Sequence, residues 1–257
     1  MTPWARRLLI ANVAMFVVRL LAEQSPTLAA LVNALVLVPA YILQRPWTIV
    51  TYAFLHADTL HLLFNMIGLF FFGPRLESVL GGTRFLGLYV TSAVVAALVS
   101  VFFEPFAPVV GASGAVFGVL IGFAKFWPRD RIYFWGVIPI EARWFIVLLA
   151  AYSIYGGLTS GGGIAHFAHL GGLAGGWIYL KVLERRSPAR RFRKKATPSF
   201  PRATLSDIER WRSIPRESLH PVNREELDRI MRKVEEHGPQ SLDVREREYL
   251  ERLSPGE

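Results

Sequence analysis

Cysteine is absent from all 257 residues, which excludes a disulfide frame, a thiolate nucleophile and any cysteine-based metal centre. Charge is scarce in one region only. Residues 1–183 hold 11 Lys/Arg and 6 Asp/Glu, whereas residues 184–257 hold 18 and 14. The first region is too poor in charge to wet its surface in water, and the second is a charged, soluble-looking tail. No H-E-x-x-H stretch occurs, which excludes the zinc proteases built on that helix. No pair of aspartates lies inside an apolar run, which excludes an intramembrane aspartyl enzyme. The net charge of +9 does not point to nucleic acid, because seven basic residues lie within Arg185–Lys195, directly after an apolar run, where anionic lipid headgroups are the simpler partner.

What is present is apolar. Six segments, approximately 8–22, 60–73, 83–103, 109–127, 143–158 and 164–183, approach the roughly 17 to 25 residues a helix needs to cross a bilayer. The second and fifth are short and need flanking residues to span. Leu28–Leu43, which contains Asn33 and Pro39, reads as a loop or an interfacial helix. The first segment follows Arg6 and Arg7 and imitates a secretory signal, but the spans behind it favour a retained anchor. Lys and Arg near span ends favour the cytoplasm. Arg6 and Arg7, Arg75 and Arg84, the Lys125–Arg143 group and the Arg185–Lys195 run fall on one side. Both termini are therefore expected in the cytoplasm, and spans two, four and six start at the outer face.

Those three starts carry the unusual polar residues. Span two opens HLLFNM, with His61 and Asn65 on one helical face. Span four opens GASGAVFG, which places Ser113 among Gly111, Gly114 and Phe117. Span six opens IAHFAHLGGLAGG, with His166 and His169 ahead of Gly172 and Gly176. Polar groups at such depth face a protein interior or a watery cavity and are functional candidates. Ser113 and His169 suit a nucleophile and its base; His61, Asn65 and the Ser113 backbone N–H suit an oxyanion. The acidic residues of 1–183 are Glu23, Asp58, Glu77, Glu104, Asp130 and Glu141. Most are expected in loops, so a Ser–His dyad is inferred. Gly114, Gly118 and Gly122 recur every four residues, as do Gly172 and Gly176, which allows spans four and six to pack closely.

HLLFN, GASGAVFG and AHLGGLAGG, in that order and on those spans, resemble the rhomboid intramembrane serine proteases over roughly residues 4–183. The resemblance implies an all-α membrane fold: a six-transmembrane-helix bundle with a water-accessible cavity, no cofactor and no metal. It implies Ser113 as nucleophile, His169 as base and then acid, and His61 and Asn65 as oxyanion donors. It further implies transmembrane protein substrates admitted between spans two and five and cut near the outer boundary. Gly111, Gly114, Phe117, His166, Gly172 and Gly176 are expected in support. Two positions depart from the family pattern: Phe117 stands where many relatives have Tyr, and Thr48 follows Trp47 where some bacterial relatives have Arg.

Other readings of the same residues remain open at this level. Asn65 and the glycines serve equally as helix-packing groups. His56, His61, His166 and His169 are a potential metal set. His166 is a hydrogen-bond partner or a cavity-lining residue. A non-catalytic binder of transmembrane clients and a small-solute transporter are the rival functions, the latter without an inverted repeat or mid-depth charge in its favour. Three parts are expected: a six-span domain over 1–183, a basic juxtamembrane linker over 184–204 that meets anionic lipid, and a small cytoplasmic helical module over 205–257. In the module, Asn223 and Asp243 read as N-caps and Gly238 as a stop. It is a site for a cytoplasmic partner or a solvated appendage. The compartment expected is a bacterial inner membrane.

Overall fold

The computed structural model describes residues 1–134, 136–159, 166–186 and 203–254. All of the basic run beyond Arg186 lies outside the described residues. The chain divides into two compact units, Met1–Arg186 and Ser187–Glu257, each described by itself.

The first unit opens with α1 (Pro3–Ala22), with proline in its first turn, where a missing N–H costs nothing. The orphan N–H groups of Trp4 and Ala5 donate to the two carboxylate oxygens of Glu77 at 3.0 and 2.8 Å. Glu77 is therefore no loop acid. It lies inside α4 and is buried because α1 begins there. The stretch expected as a loop or interfacial helix is a mixture: α2 (Pro26–Asn33), capped by Ser25, then an extended bridge between Leu37 and Val109, then a 3-10 turn at Pro39–Tyr41. A short helical turn, α3 (Thr48–Thr51), follows.

Helix α4 (Thr59–Leu80) is longer than the 60–73 segment, because the chain continues helically through Pro74 and stops only at Gly81, whose φ is 79°. Asp58 caps its start by accepting the His61 N–H at 2.9 Å. Then come α5 (Gly82–Phe103), α6 (Ser113–Phe126), α7 (Ala142–Thr159) and α8 (His166–Arg186). Among the described residues α4, α5 and α7 are long and apolar enough to cross a membrane, and α6 is apolar but has only 14 residues. Three arginines dilute α1, and histidines and glycines dilute α8. The apolar helices make the chain an integral membrane protein.

Two departures from the expected pattern involve backbone form. Val109–Ala112 is not helical, so α6 starts at Ser113 rather than Val109. Between α6 and α7 the expected turn is an antiparallel hairpin, β1 (Arg131–Phe134) and β2 (Ile138–Glu141). Its alternation of branched and aromatic residues around Gly136 is a strand signature, so the fold is helical but not purely so.

The second unit holds α9 (Leu205–Arg212), α10 (Pro221–His237) and α11 (Val244–Leu253). They close over Trp211, Ile214, Leu227, Ile230, Met231 and Leu250. Asn223 does not cap α10: Pro221 starts the helix two residues earlier, its fixed φ suiting the first turn. Asp243 does cap α11, in a reciprocal box with Glu246, and Gly238 ends α10 at φ 77°. Helix α9, unread in the sequence, supplies the fully buried Trp211. Burial would raise the Glu246 carboxyl, but Lys233, the Asp243 N–H and Arg229 outweigh that and hold it below its ordinary value.

Two outcomes follow from these carboxylates. Glu77→Ala leaves two N–H groups of α1 without acceptors in a buried place, at a cost of about 1–3 kcal/mol, read as a lower Tm in detergent. Because the Glu246 pKa is lowered on folding, its stabilisation is complete above the unfolded value and is lost as pH falls through the folded one. Urea unfolding of the second unit, followed by the Trp211 indole NMR signal, is expected to weaken on acidification, and Glu246→Gln to blunt that dependence.

Candidate active site

Helix α6 carries Ser113 at its first residue, after Ala112 at the cap. The first N–H groups of a helix have no intrahelical acceptor and concentrate positive potential. Ser113 thus stands where backbone donors are free to meet a negative oxygen. Helix α8 carries His169, whose Nε2 lies 2.9 Å from the Ser113 Oγ. On its other side the His169 ring stacks on Phe117 at 4.4 Å between centroids and 16° between planes. The hydroxyl lost at position 117 leaves the stacking face intact. The His169 Nδ1 is buried and has no hydrogen-bond partner among the described residues, so no carboxylate orients this imidazole.

The meeting of the two helices rests on small residues. A Cβ on Gly172 would strike the Gly114 carbonyl, and one on Gly176 would stand 2.8 Å from the Gly118 Cα. The seam has a third member that the four-residue glycine spacing did not reveal. Ala96 of α5 meets Gly114 and Gly171, and Ser92 meets Gly118 and Gly175. Ser92, Ala96 and Ser100 are fully buried at four-residue spacing, which was the available signal. Both serines return their hydroxyls to their own helix, at the Leu88 and Ala96 carbonyls.

The non-helical Val109–Ala112 segment is pinned at Val109, Gly111 and Ala112. Val109 exchanges backbone hydrogen bonds with Leu37 at 2.7 and 3.3 Å, and the Gly111 N–H donates to the Tyr52 carbonyl at 3.0 Å. The Ala112 N–H faces His56 Nε2 at 3.5 Å. Tyr52 is itself fixed by its hydroxyl, which donates to the Ala93 carbonyl at 2.8 Å. Gly111 has a φ of 122°, and a Cβ there would lie 2.5 Å from His61 Nε2. Position 111 therefore needs glycine twice, for its backbone and for the imidazole packed on it. His56 meets His61 edge-on at 5.1 Å.

Asn65 is buried, and one N–H of its amide donates to the His61 carbonyl at 2.9 Å. His166 is buried between α7 and His169: its ring fills the space left by Gly156, touches Tyr152 edge-on at 5.5 Å and lies 6.3 Å from the His169 ring. Among the described residues no three His, Cys, Asp or Glu side chains gather as a metal site. The loop that holds Thr48 is tied down by side-chain hydrogen bonds. Thr48 Oγ1 donates to the Arg45 carbonyl, Trp47 Nε1 to Ala34 and Thr51 Oγ1 to Leu35.

Residues 43–186, which hold His61, Asn65, Ser113, His166 and His169, match the Rhomboid domain family. The chain belongs to the rhomboid family. It is 34% identical over 155 residues to the mitochondrial rhomboid protein 1 of Saccharomyces cerevisiae, covering 56% of this chain and 44% of that one. It is 35% identical over 141 residues to rhomboid-like protease 3 of Toxoplasma gondii, covering 54% and 52%. With rhomboid protease GluP of Bacillus subtilis the identity is 32% over 137 residues, covering 53% and 26%. The chain thus spans about half or less of the length of these rhomboid relatives. The match ends at Arg186, so it leaves out the second unit.

Two glycines with positive φ separate the causes of strain in this rhomboid domain. Gly81 has open space around its missing Cβ, whereas Gly111 faces the His61 ring. Gly81→Ala should cost only the backbone penalty of its glycine-only conformation, about 1–3 kcal/mol. Gly111→Ala should cost more and move His61 as well. The check is thermal unfolding of both variants beside the His61 ring NMR signals, which shift only in the second.

Proposed function

We propose that the chain is an intramembrane serine endopeptidase that cleaves transmembrane segments, and the observation that carries this reading is the 2.9 Å contact between His169 Nε2 and Ser113 Oγ. As Oγ attacks the scissile carbonyl carbon, His169 takes its proton. The resulting oxyanion is met by the Ser113 N–H at the start of α6, with His61 and the Asn65 amide as further donors. His169 then returns the proton to the leaving amine, and water hydrolyses the acyl-enzyme with the same imidazole as base. Stacking on Phe117 holds the ring plane that a carboxylate would otherwise fix.

The length of α6 supports a site inside the membrane and below its outer face. Fourteen residues make a helix of about 21 Å, against a hydrocarbon core of about 30 Å. With its inner end at the boundary, Ser113 sits about 9 Å beneath the outer one. The chain above it is extended, which hydrocarbon tolerates only where backbone is buried in protein or lines a watery cavity. Val109, Gly111 and Ala112 are all buried.

In this reading α1, α4, α5, α6, α7 and α8 are the six spans, and both termini face the cytoplasm of a bacterial inner membrane. Substrates are transmembrane proteins. They enter between α4 and α7 and are cut near the outer end of their own span, where small or helix-breaking residues let the chain unwind. The basic run beyond α8 rests on anionic headgroups. The second unit is a cytoplasmic module that receives a protein partner.

Turnover of a labelled transmembrane substrate in proteoliposomes tests this. Ser113→Ala and His169→Ala should each abolish cleavage while leaving Tm unchanged. Asn65→Ala, removing one donor of several, should lose about 10²- to 10³-fold. Deletion of residues 205–257 should leave turnover intact. Full activity in Ser113→Ala, or new termini clustered at the cytoplasmic end of the substrate, would overturn the proposal.

A further inference from the structure

The β1–β2 hairpin takes no part in the chemistry around Ser113. Its root is rigid. The Ala142 N–H donates to the Asp130 carbonyl at 2.8 Å and the Arg143 N–H to the Pro128 carbonyl at 3.1 Å. Arg131 stands opposite Glu141 in the ladder, and Ile132 packs on the core. Asp130 pairs with Arg75, whose guanidinium lies 4.2 Å from the Trp127 ring centroid. The tip has a different character. Tyr133, Val137 and Ile138 are 60%, 77% and 54% exposed, and no residue from Tyr133 to Ile138 is charged.

A two-stranded hairpin is marginal in water on its own. Native edges that face water are protected with charge, proline or cover; Arg131, Pro139 and Glu141 protect the strands toward the root, but the tip from Tyr133 to Ile138 has neither charge nor proline. Position in the chain names the cover. β2 ends at Glu141 and α7, a helix long and apolar enough to cross a membrane, begins at the next residue. The hairpin is therefore rooted at a membrane boundary. Exposed Trp144, Val147 and Leu148 on α7 continue its apolar surface into the bilayer. Strands of four residues reach about 13 Å from that root, and the headgroup layer is only about 5–7 Å deep. An upright hairpin would carry its apolar tip through the headgroups into water, whereas a reclining one keeps it among them. Arg129, Arg131 and Arg143 stand at the root; Arg143 Nε donates to Glu141 at 2.7 Å with half of its side chain still exposed, and its guanidinium lies 5.5 Å from the Trp144 ring centroid. Arginine and aromatic rings at one level are the composition of an interfacial anchor on anionic lipid.

We propose that residues 131–141 lie in the headgroup layer of an anionic bilayer, with Tyr133, Val137 and Ile138 turned into lipid and Arg131 and Arg143 among the phosphates. So placed, the hairpin fixes the depth and tilt of α7, which a hydrophobic span alone leaves unset.

The absence of cysteine makes the test direct. Val137→Cys and Ile138→Cys are labelled with an environment-sensitive fluorophore in the full chain and reconstituted in vesicles of phosphatidylcholine and phosphatidylglycerol. Val147→Cys on α7 and Glu235→Cys on α10 serve as lipid and water references. The expected result at both tip positions is blue-shifted emission, loss of signal to a nitroxide near the headgroups and no loss to iodide. Quenching by iodide without nitroxide would put the tip in water, and quenching by neither would put it under protein; each outcome overturns the proposal. Two labelled positions guard against one misfolded variant, and the readout does not depend on proteolysis.

Discussion

The contact between Gly172 and the Gly114 carbonyl governs the geometry of everything around Ser113. Lipid gives helices no hydrophobic reason to associate, so they hold together by close van der Waals contact, which small residues permit. Here α6 and α8 touch backbone to backbone, and α5 completes the seam through Ser92 and Ala96. The 2.9 Å separation of His169 and Ser113 is a consequence of that distance of approach. A side chain inserted at Gly172 would separate the two helices and, with them, His169 from Ser113.

A second constraint comes from length. Helix α6 is too short to reach both faces of a bilayer, and the chain above Ser113 must be held without helical hydrogen bonds. Leu37, Tyr52 and His56 supply those bonds from outside the helix. Each comes from the region between α1 and α4, including the stretch that reads as an indifferent apolar loop. That region frames Ser113, and Trp47, Thr48 and Thr51 each use a side-chain hydrogen bond to fix it.

Much of this was legible in the residues because membrane burial makes polar groups conspicuous. Ser113, His169, His61 and Asn65 stand out in apolar runs, and glycines four apart announce close packing. Less visible were features that depend on partners distant in the chain. Glu77 read as a loop acid because its role depends on where α1 starts. Nothing in the sequence sets Tyr52 apart, because its value lies in the Gly111 N–H and the Ala93 carbonyl. The apolar segment 60–73 falls short of the helix, which runs on through Pro74, because a spanning helix tolerates proline where neighbours satisfy the freed groups. The hairpin and α9 were legible and went unread. Their alternating and amphipathic patterns are short beside the long apolar segments that dominate the sequence.

Two buried carboxylates, one in each unit, are compensated in different ways. In the first unit Glu77 is buried against backbone N–H groups at a helix start, where partial charges of the helix dipole compensate it without a second full charge. In the second unit Glu246 is buried against Arg229, Lys233 and the Asp243 N–H, and both cations keep an exposed outer face. An ion pair of that kind inside lipid would place two desolvated charges where each is costly. A capped helix end is the cheaper device there, and it has a geometric effect that the ion cluster lacks. By gripping α1 at Trp4 and Ala5 from α4, Glu77 sets where the first helix begins relative to the helix that presents His61 and Asn65.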